Sequence, residues 1–158
     1  MLVSFTLNAL MHTCAPSIGP RTLAAVIAYE SGGRPEAIGD NSTRRAYFPS
    51  DRSAAEELAT RLTTLGHDLD LGLLQVNARN LRRLHVSVRA AFDPCTNLAA
   101  GARILAEDYV RAERHFGRSQ SALYHALSAY NTGGFWAGLG YARGVYTSAQ
   151  NLQFETPP

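Results

Sequence analysis

Apolar residues recur at helical spacing in several segments of this 158-residue chain. Leu23, Val26 and Ile27 follow Pro20, which suits the first turn of a helix because its missing N–H would have no partner there, and the pattern predicts a helix over Pro20–Ser31. Spacing together with start and stop signals predicts further helices at 53–65, 77–84, 94–117 and 119–130, and a last helical piece that includes 141–149.

Start and stop signals divide these helices from less regular stretches. Ser53 and Glu56 have the spacing of a capping box, so we expect the second helix to begin at Ser53. Residues 33–52 are polar and rich in glycine and proline, which predicts a loop or a short irregular hairpin. Residues 69–76 are apolar but interrupted by Gly72, and we expect them to be extended or looped. The chain therefore reads as mostly α.

Composition places the chain among ordinary globular domains. It is 46% hydrophobic and 18% charged, with a net charge of +2. Its length suits one domain, no apolar run approaches the roughly 20 residues of a membrane span, and the scattered arginines do not suggest a nucleic-acid partner. Residues 1–15 lack a basic opening segment and a signal-quality apolar run. A trimmed start, a signal outside this numbering and an intracellular protein all remain open.

Two cysteines, Cys14 and Cys95, lie far apart with no neighbouring ligand at metal-binding spacing, so we predict no metal site. They form either a disulfide or two free thiols, and we favour the disulfide. In an oxidising compartment such a bridge, closing a loop of about 80 residues, would stabilise the fold by roughly 4 kcal/mol. The five histidines show no paired spacing, and we assign them no role.

Glu30 is the strongest candidate for acid–base chemistry. It follows an apolar run near the predicted end of its helix, where the helix dipole and partial burial both favour the protonated carboxyl. Glycines after Ser31 allow a sharp turn that would leave the carboxyl open to a groove. Taken alone, Glu30 would more often be a solvated helix-end residue. Tyr130, at the end of a core helix, is a candidate to direct its phenol toward Glu30, although core packing would also explain it.

Three motifs strengthen the case for Glu30. They are Glu30-Ser31-Gly32, Gly72-Leu73-Leu74-Gln75-Val76-Asn77 and Ala129-Tyr130-Asn131-Thr132-Gly133. In this order and spacing the chain resembles the soluble lytic transglycosylase domain, and in particular the small transglycosylases that accompany type IV secretion and conjugation systems. The resemblance covers about residues 14–149 and extends to the flanking segments Cys14-Ala15-Pro16, 66–72, Asn80-Leu81 and 92–98.

The resemblance implies a lysozyme-like α+β fold and cleavage of peptidoglycan between N-acetylmuramic acid and N-acetylglucosamine. Glu30 matches the catalytic acid, which then acts as base toward the muramyl 6-hydroxyl and leaves a 1,6-anhydro end. No cofactor and no metal are implied. The substrate-binding residues that we predict are Ser31, Gln75, Asn77, Tyr130, Asn131 and Tyr141. For Asn77 and Gln75, helix capping and turn polarity are the alternative readings.

Two rival functions remain. A hydrolytic lysozyme would use water and a second carboxylate, for which Asp40, Asp68 and Asp70 are candidates. A noncatalytic glycan-binding or assembly module is the other, and the pair Phe135-Trp136 beside the third motif is a candidate contact surface for sugar or protein.

The resemblance also sets the expected organisation and setting. We predict an N-terminal extension at 1–13, the transglycosylase domain at 14–150 and a tail at 151–158 that is frayed from Phe154 onward. The expected partners are peptidoglycan strands and type IV secretion or conjugation components. We expect a monomer in the periplasm, with no nucleic acid bound and no membrane span.

Overall fold

The computed structural model describes residues 1–155, and helices dominate that part of the chain. Within this range there are seven α-helices: α1 Phe5–Cys14, α2 Pro20–Glu30, α3 Arg52–Thr64, α4 Ala78–Arg83, α5 Pro94–Phe116, α6 Gln120–Thr132 and α7 Leu139–Gln150. The six strands of the same range are β1 Leu2–Val3, β2 Ile38–Asp40, β3 Arg45–Tyr47, β4 Leu69–Leu71, β5 Val76–Asn77 and β6 Gln153–Phe154. The prediction of a mostly α, lysozyme-like single domain with a small hairpin is confirmed.

Four strands form a small antiparallel sheet in the order β3-β2-β4-β5. Ile38 of β2 pairs with Tyr47 of β3 on one side and with Leu71 of β4 on the other. The polar stretch at 33–52 therefore contains a hairpin, and the interrupted apolar stretch at 69–76 supplies β4 and the start of β5. The short hairpin, one of the two forms predicted for 33–52, is found, and 69–76 is partly extended and partly looped as predicted.

The core lies around α5, the longest helix of the described chain. Asp93 caps its N-terminus by accepting a hydrogen bond from the Thr96 N–H at 2.9 Å, and Gly117 follows its last turn. Leu98 and Leu105 are fully buried on its inner face, where α5 packs most extensively against α6. Helix α2 packs mainly against α7. The second pair brings the C-terminus of α2 close to the first turn of α7.

The start of α3 differs from the prediction. Asp51, not Ser53, is the N-cap, and its carboxylate accepts from the Ala54 N–H at 2.9 Å. A carboxylate is the stronger acceptor for an unpaired helix-end N–H because the bond is charge-assisted. Glu56 does not reach back to a cap and instead pairs with Arg52 at 2.8 Å and with Arg89 at 2.8 Å.

Helix α1 was not predicted. Its Ser4 cap accepts from the Leu7 N–H at 3.1 Å, but its apolar positions have little periodicity, and of its ten residues only Met11 is buried. Val3 and Met11, at 0% and 1% exposure, contribute to the same core as the rest of the chain. The division into an extension at 1–13, a domain at 14–150 and a tail stays a prediction.

The predicted disulfide is present. Cys14, at the end of α1, bonds to Cys95 in the first turn of α5, with the two Cα atoms 5.2 Å apart. The chain ends also meet, because Leu2 of β1 pairs in parallel with Gln153 of β6. Phe154 is therefore part of a strand and not frayed, whereas residues 156–158 lie outside the described residues.

None of the helices within residues 1–155 combines the length and the apolar character that crossing a bilayer requires.

Candidate active site

A groove of about 680 Å³ runs between the small sheet and helices α5 and α6. Glu30 lies in its wall, and the polar side chains around it make the groove mostly hydrophilic. Of the residues predicted from sequence, the groove lining includes Glu30, Gln75, Asn77, Tyr130 and Asn131. Ser31 and Tyr141 do not line it, and each contributes from behind the wall.

Glu30 is the last residue of α2, and its carboxyl is partly buried. Burial raises the pKa of Glu30 to about 7, because desolvation penalises the charged carboxylate. A hydrogen bond from the Tyr141 O–H to Glu30 Oε1, at 2.5 Å, acts in the opposite direction, and the negative charge of Asp70 adds to the rise. A carboxyl with this pKa can both donate and accept a proton near neutral pH.

Tyr141 reaches Glu30 because α7 packs closely on the end of α2. The Tyr141 ring is 8% exposed, and Tyr29 meets it edge-on with the ring centroids 5.1 Å apart. Gly144, one turn further along α7, leaves room for Tyr29, since a Cβ at position 144 would lie 2.7 Å from Tyr29 Cζ. The sequence made Tyr130 a candidate to face Glu30 and included Tyr141 among the site residues; in the structure Tyr141 is the tyrosine that donates to Glu30.

Tyr130 has a different hydrogen-bond partner. Its phenol donates to the backbone carbonyl of Leu74 at 2.8 Å, and burial raises its pKa well above the usual value, so the O–H stays protonated. The contact holds the loop between β4 and β5 against α6. Asn131, the next residue, is exposed at the edge of the groove.

The loop of the second motif is held by a set of internal hydrogen bonds. Gln75, at a φ of 44°, donates from Nε2 to the Ala37 carbonyl at 3.0 Å and to the Gly72 carbonyl at 2.9 Å. The buried Asn97 accepts from the Leu74 N–H at 2.8 Å. Sequence reasoning gave Asn97 no role, although an asparagine on the apolar face of a helix was the available signal.

Ser31 supports the same loop from below. It is buried, and its hydroxyl donates to the Leu73 carbonyl at 2.8 Å and accepts from the Gly33 N–H at 3.2 Å. The sharp turn that follows α2 uses Gly32 and Gly33 in the left-handed region, with φ values of 64° and 87°. Ser31 thereby joins the end of α2 to the loop that faces Glu30.

Asn77 connects two acidic side chains in the groove. Its Nδ2 donates to Asp68 Oδ1 and to Asp70 Oδ1, both at 2.9 Å, while its Oδ1 caps α4 by accepting from the Arg79 N–H at 2.9 Å. Asp70 also accepts from Asn41 Nδ2 at 2.7 Å, and burial raises its pKa. Of the three candidates for a second carboxylate, Asp68 and Asp70 line the groove.

Asp40, the third candidate, serves the hairpin. Its carboxylate accepts from the Ser42 N–H at 3.0 Å and the Thr43 hydroxyl at 2.7 Å, and it contacts His67 Nδ1 at 2.8 Å. The hydrogen bonds of Thr43 and His67 lower the pKa of Asp40 despite its burial. It does not line the groove.

Asp108 and Arg111 form an ion pair in the groove that sequence reasoning missed. The two side chains are joined at 2.8 Å, and burial raises the pKa of Asp108 to about 6. A signal was present, because Asp108 continues the spacing of the buried positions Leu105 and Ala112 on α5. Within residues 1–155, no group of three or more His, Cys, Asp or Glu side chains is arranged to hold a metal ion.

Comparison with known proteins gives a consistent result. Residues 8–138 match the family model described as Transglycosylase SLT domain. The chain is 38% identical over 153 residues to Protein virB1 of Rhizobium radiobacter, an alignment that covers 96% of this chain and 64% of that protein. It is 39% identical over 130 residues to the type IV secretion system protein virB1 of Brucella suis biovar 1, covering 82% of this chain and 55% of that protein.

A third relative, Protein virB1 of Agrobacterium fabrum, is 37% identical over 147 residues, which cover 92% of this chain and 60% of that protein. The chain thus spans between about half and two thirds of the length of these relatives. No solved structure matches it.

Proposed function

This chain belongs to the transglycosylase SLT domain family, and we propose that it is a lytic transglycosylase that cleaves the β-1,4 bond between N-acetylmuramic acid and N-acetylglucosamine in peptidoglycan. The observation that carries the proposal is Glu30, a groove carboxyl whose pKa of about 7 suits a group that must first give and then take a proton. The proposal needs no metal and no cofactor.

In the first step, protonated Glu30 donates its proton to the glycosidic oxygen as the bond from that oxygen to the muramyl C1 breaks. An oxocarbenium-like centre develops at C1. The muramyl 6-hydroxyl oxygen then bonds to C1, and the Glu30 carboxylate takes the hydroxyl proton. The product carries a 1,6-anhydro ring, no water is consumed, and Glu30 returns to its protonated state.

Tyr141 holds the carboxyl during both steps. Its O–H donates to Glu30 Oε1, which orients the second oxygen, Oε2, as the atom that exchanges the proton with substrate. The same bond stabilises the carboxylate formed after the first step, since a hydrogen bond to the charged form favours it. Tyr141 therefore helps to keep the pKa of Glu30 near neutrality despite burial.

The remaining predicted site residues divide by the state of their polar atoms. Asn131 is exposed at the groove edge. Gln75 Nε2 is engaged within the protein, which leaves Gln75 Oε1 to accept a hydrogen bond from a sugar. We therefore assign sugar contacts to these two residues. Ser31, Asn77 and Tyr130 have their side-chain donors engaged within the protein. We assign them the role of ordering the loop that faces Glu30.

The test is digestion of purified peptidoglycan by the wild type, Glu30→Gln and Glu107→Gln, followed by mass analysis of the released fragments. Glu107 is the matched control because it lines the same groove, while hydrogen bonds from Arg83 and Arg103 lower its pKa. We expect products one water lighter than hydrolysed ones from the wild type and Glu107→Gln, and none from Glu30→Gln. Full cleavage by Glu30→Gln would refute the assignment.

Hydrolysis is the second candidate, and one observation favours it. Asp68 and Asp70 line the same groove as Glu30, and a lysozyme uses a second carboxylate to activate water or stabilise C1. In that case the products carry free reducing ends, and Asp70→Asn abolishes cleavage. Anhydro products that persist in Asp70→Asn would exclude this reading. Glycan binding without any cleavage by the wild type would indicate a noncatalytic module.

We further propose that the protein acts as a monomer in the periplasm, where it opens peptidoglycan locally for a type IV secretion or conjugation apparatus. The support is the name of the Brucella relative, a type IV secretion system protein, together with the Cys14–Cys95 bridge, since disulfides persist in oxidising compartments. Deleting the gene should reduce substrate transfer by that apparatus, and a Glu30→Gln copy should fail to restore it.

A further inference from the structure

Trp136 is a large aromatic residue that the core does not use. It is the single tryptophan of the chain, and its side chain is 66% exposed. It lies in the connection between α6 and α7, three residues beyond Gly133, which lines the groove. Three residues span at most about 11 Å of backbone, so Trp136 lies within about 11 Å of a residue that lines the groove.

Arg111 makes the surface continuous from the groove to this aromatic segment. It lines the groove, donates from Nη2 to the Gly133 carbonyl at 3.2 Å, and places its guanidinium 5.3 Å from the centre of the Phe135 ring. His115, one helical turn beyond Arg111 on α5, meets the Phe135 ring edge-on at 5.4 Å. Contacts from α5 therefore join the groove lining to Phe135, the residue next to Trp136.

The Trp136 ring is exposed and yet held by its neighbours. The centroids of the Trp136 and His125 rings are 4.4 Å apart. The Phe116 ring in turn stacks on His125, with the centroids 4.0 Å apart. His125 Nδ1 also donates to the Phe135 carbonyl at 2.9 Å, and Ser128 Oγ donates to the Gly134 carbonyl at 2.8 Å. A ring positioned in advance loses little conformational entropy when a ligand covers it.

We propose that Trp136 is a sugar-stacking platform, which binds one ring of the glycan strand beyond the groove that contains Glu30. The inference rests on the proposed function, because it assigns the same polymer to both surfaces. A pyranose has an apolar C–H face with polar edges, which matches an exposed indole that His125 holds beside a segment contacted by Arg111. The platform would favour long strands over short fragments.

The experiment uses Trp136 as its own reporter, since it is the only tryptophan. Glu30→Gln is titrated with chitotriose and with chitohexaose, β-1,4-linked N-acetylglucosamine oligomers, and binding is followed by tryptophan emission and by calorimetry. The same calorimetry is done on Glu30→Gln carrying Trp136→Ala, Trp136→Phe or Phe48→Ala. Phe48 is the control, an exposed aromatic at 56% that does not line the groove.

We expect chitohexaose to shift the Trp136 emission to shorter wavelength and chitotriose to have a smaller effect. Trp136→Ala should weaken chitohexaose binding by about three- to tenfold, the size of one aromatic contact, while Trp136→Phe keeps most of the affinity and Phe48→Ala all of it.

Two results would overturn the inference. In the first, chitohexaose binds Trp136→Ala as tightly as the Glu30→Gln parent, and it does not change the tryptophan emission of that parent. This result would leave the proposed function intact and would indicate that Trp136 contacts a protein partner instead. If neither oligomer binds by calorimetry and the wild type does not digest peptidoglycan, the proposed function fails, and this inference fails with it.

Discussion

Replacing Glu30 by glutamine should stabilise the folded protein in a way that depends on pH. Burial raises the pKa of Glu30 from 4.5 to about 7, so folding disfavours the carboxylate that is present above that pH. Glutamine has the same shape and no charge. It can also accept the hydrogen bond that Tyr141 now donates to Oε1.

The sign and size of the effect follow from the two pKa values. Between pH 4.5 and about 7 the folded state binds more protons at Glu30 than the unfolded state does, so the free energy of unfolding falls as pH rises through this window. The full difference corresponds to about 3 kcal/mol. The gain in stability from Glu30→Gln should therefore be about 3 kcal/mol larger at about pH 8 than at about pH 4.

Urea unfolding of the wild type and the variant at both pH values measures this difference. Other groups, including Asp108 with its raised pKa, are common to both proteins and cancel in the comparison. Glu107→Gln is the matched control, and its sign should be the opposite, because the pKa of Glu107 is lowered by hydrogen bonds from Arg83 and Arg103. An equal effect of Glu30→Gln at the two pH values would refute the raised pKa and with it the acid–base argument.

Three further predictions follow from single contacts. Tyr141→Phe removes the hydrogen bond that lowers the pKa of Glu30. The pH above which the cleavage rate falls, about 7 in the wild type, should therefore rise by about one unit. An unchanged pH–rate profile would contradict the role of Tyr141. Gly144→Ala should be less stable than Gly140→Ala by about 1–2 kcal/mol in thermal unfolding, because only position 144 faces a tyrosine ring, and equal melting temperatures would show that the ring moves freely. Cys14→Ser should lower the free energy of unfolding by roughly 4 kcal/mol without reductant, and a wild type that melts equally with and without reductant would count against the bridge.

Local signals in the chain predicted much of the fold. The start of α2 at Pro20 and the starts of the helices predicted from residues 94 and 119 all depend on residues within one helical turn, and all three starts are found within one residue. The N-cap of α3 lies two residues before the predicted one. Asp51 and Ser53 can both cap a helix, and only their surroundings distinguish them. Helix α1 was missed because its sequence has little amphipathic pattern.

The site, like the fold, was predictable from the sequence only in part. The sequence by itself determined that Glu30 ends a helix before a glycine turn, and its motifs brought Gln75, Tyr130 and Asn131 into one groove with it. Only the tertiary structure decided that Tyr141, 111 residues away, donates to Glu30. Packing of α7 on α2 sets that contact, and desolvation by the surrounding segments sets the pKa of Glu30. The apolar run before Glu30 predicted the direction of the pKa shift, but the hydrogen-bond donor and the extent of burial depend on segments that are distant in sequence.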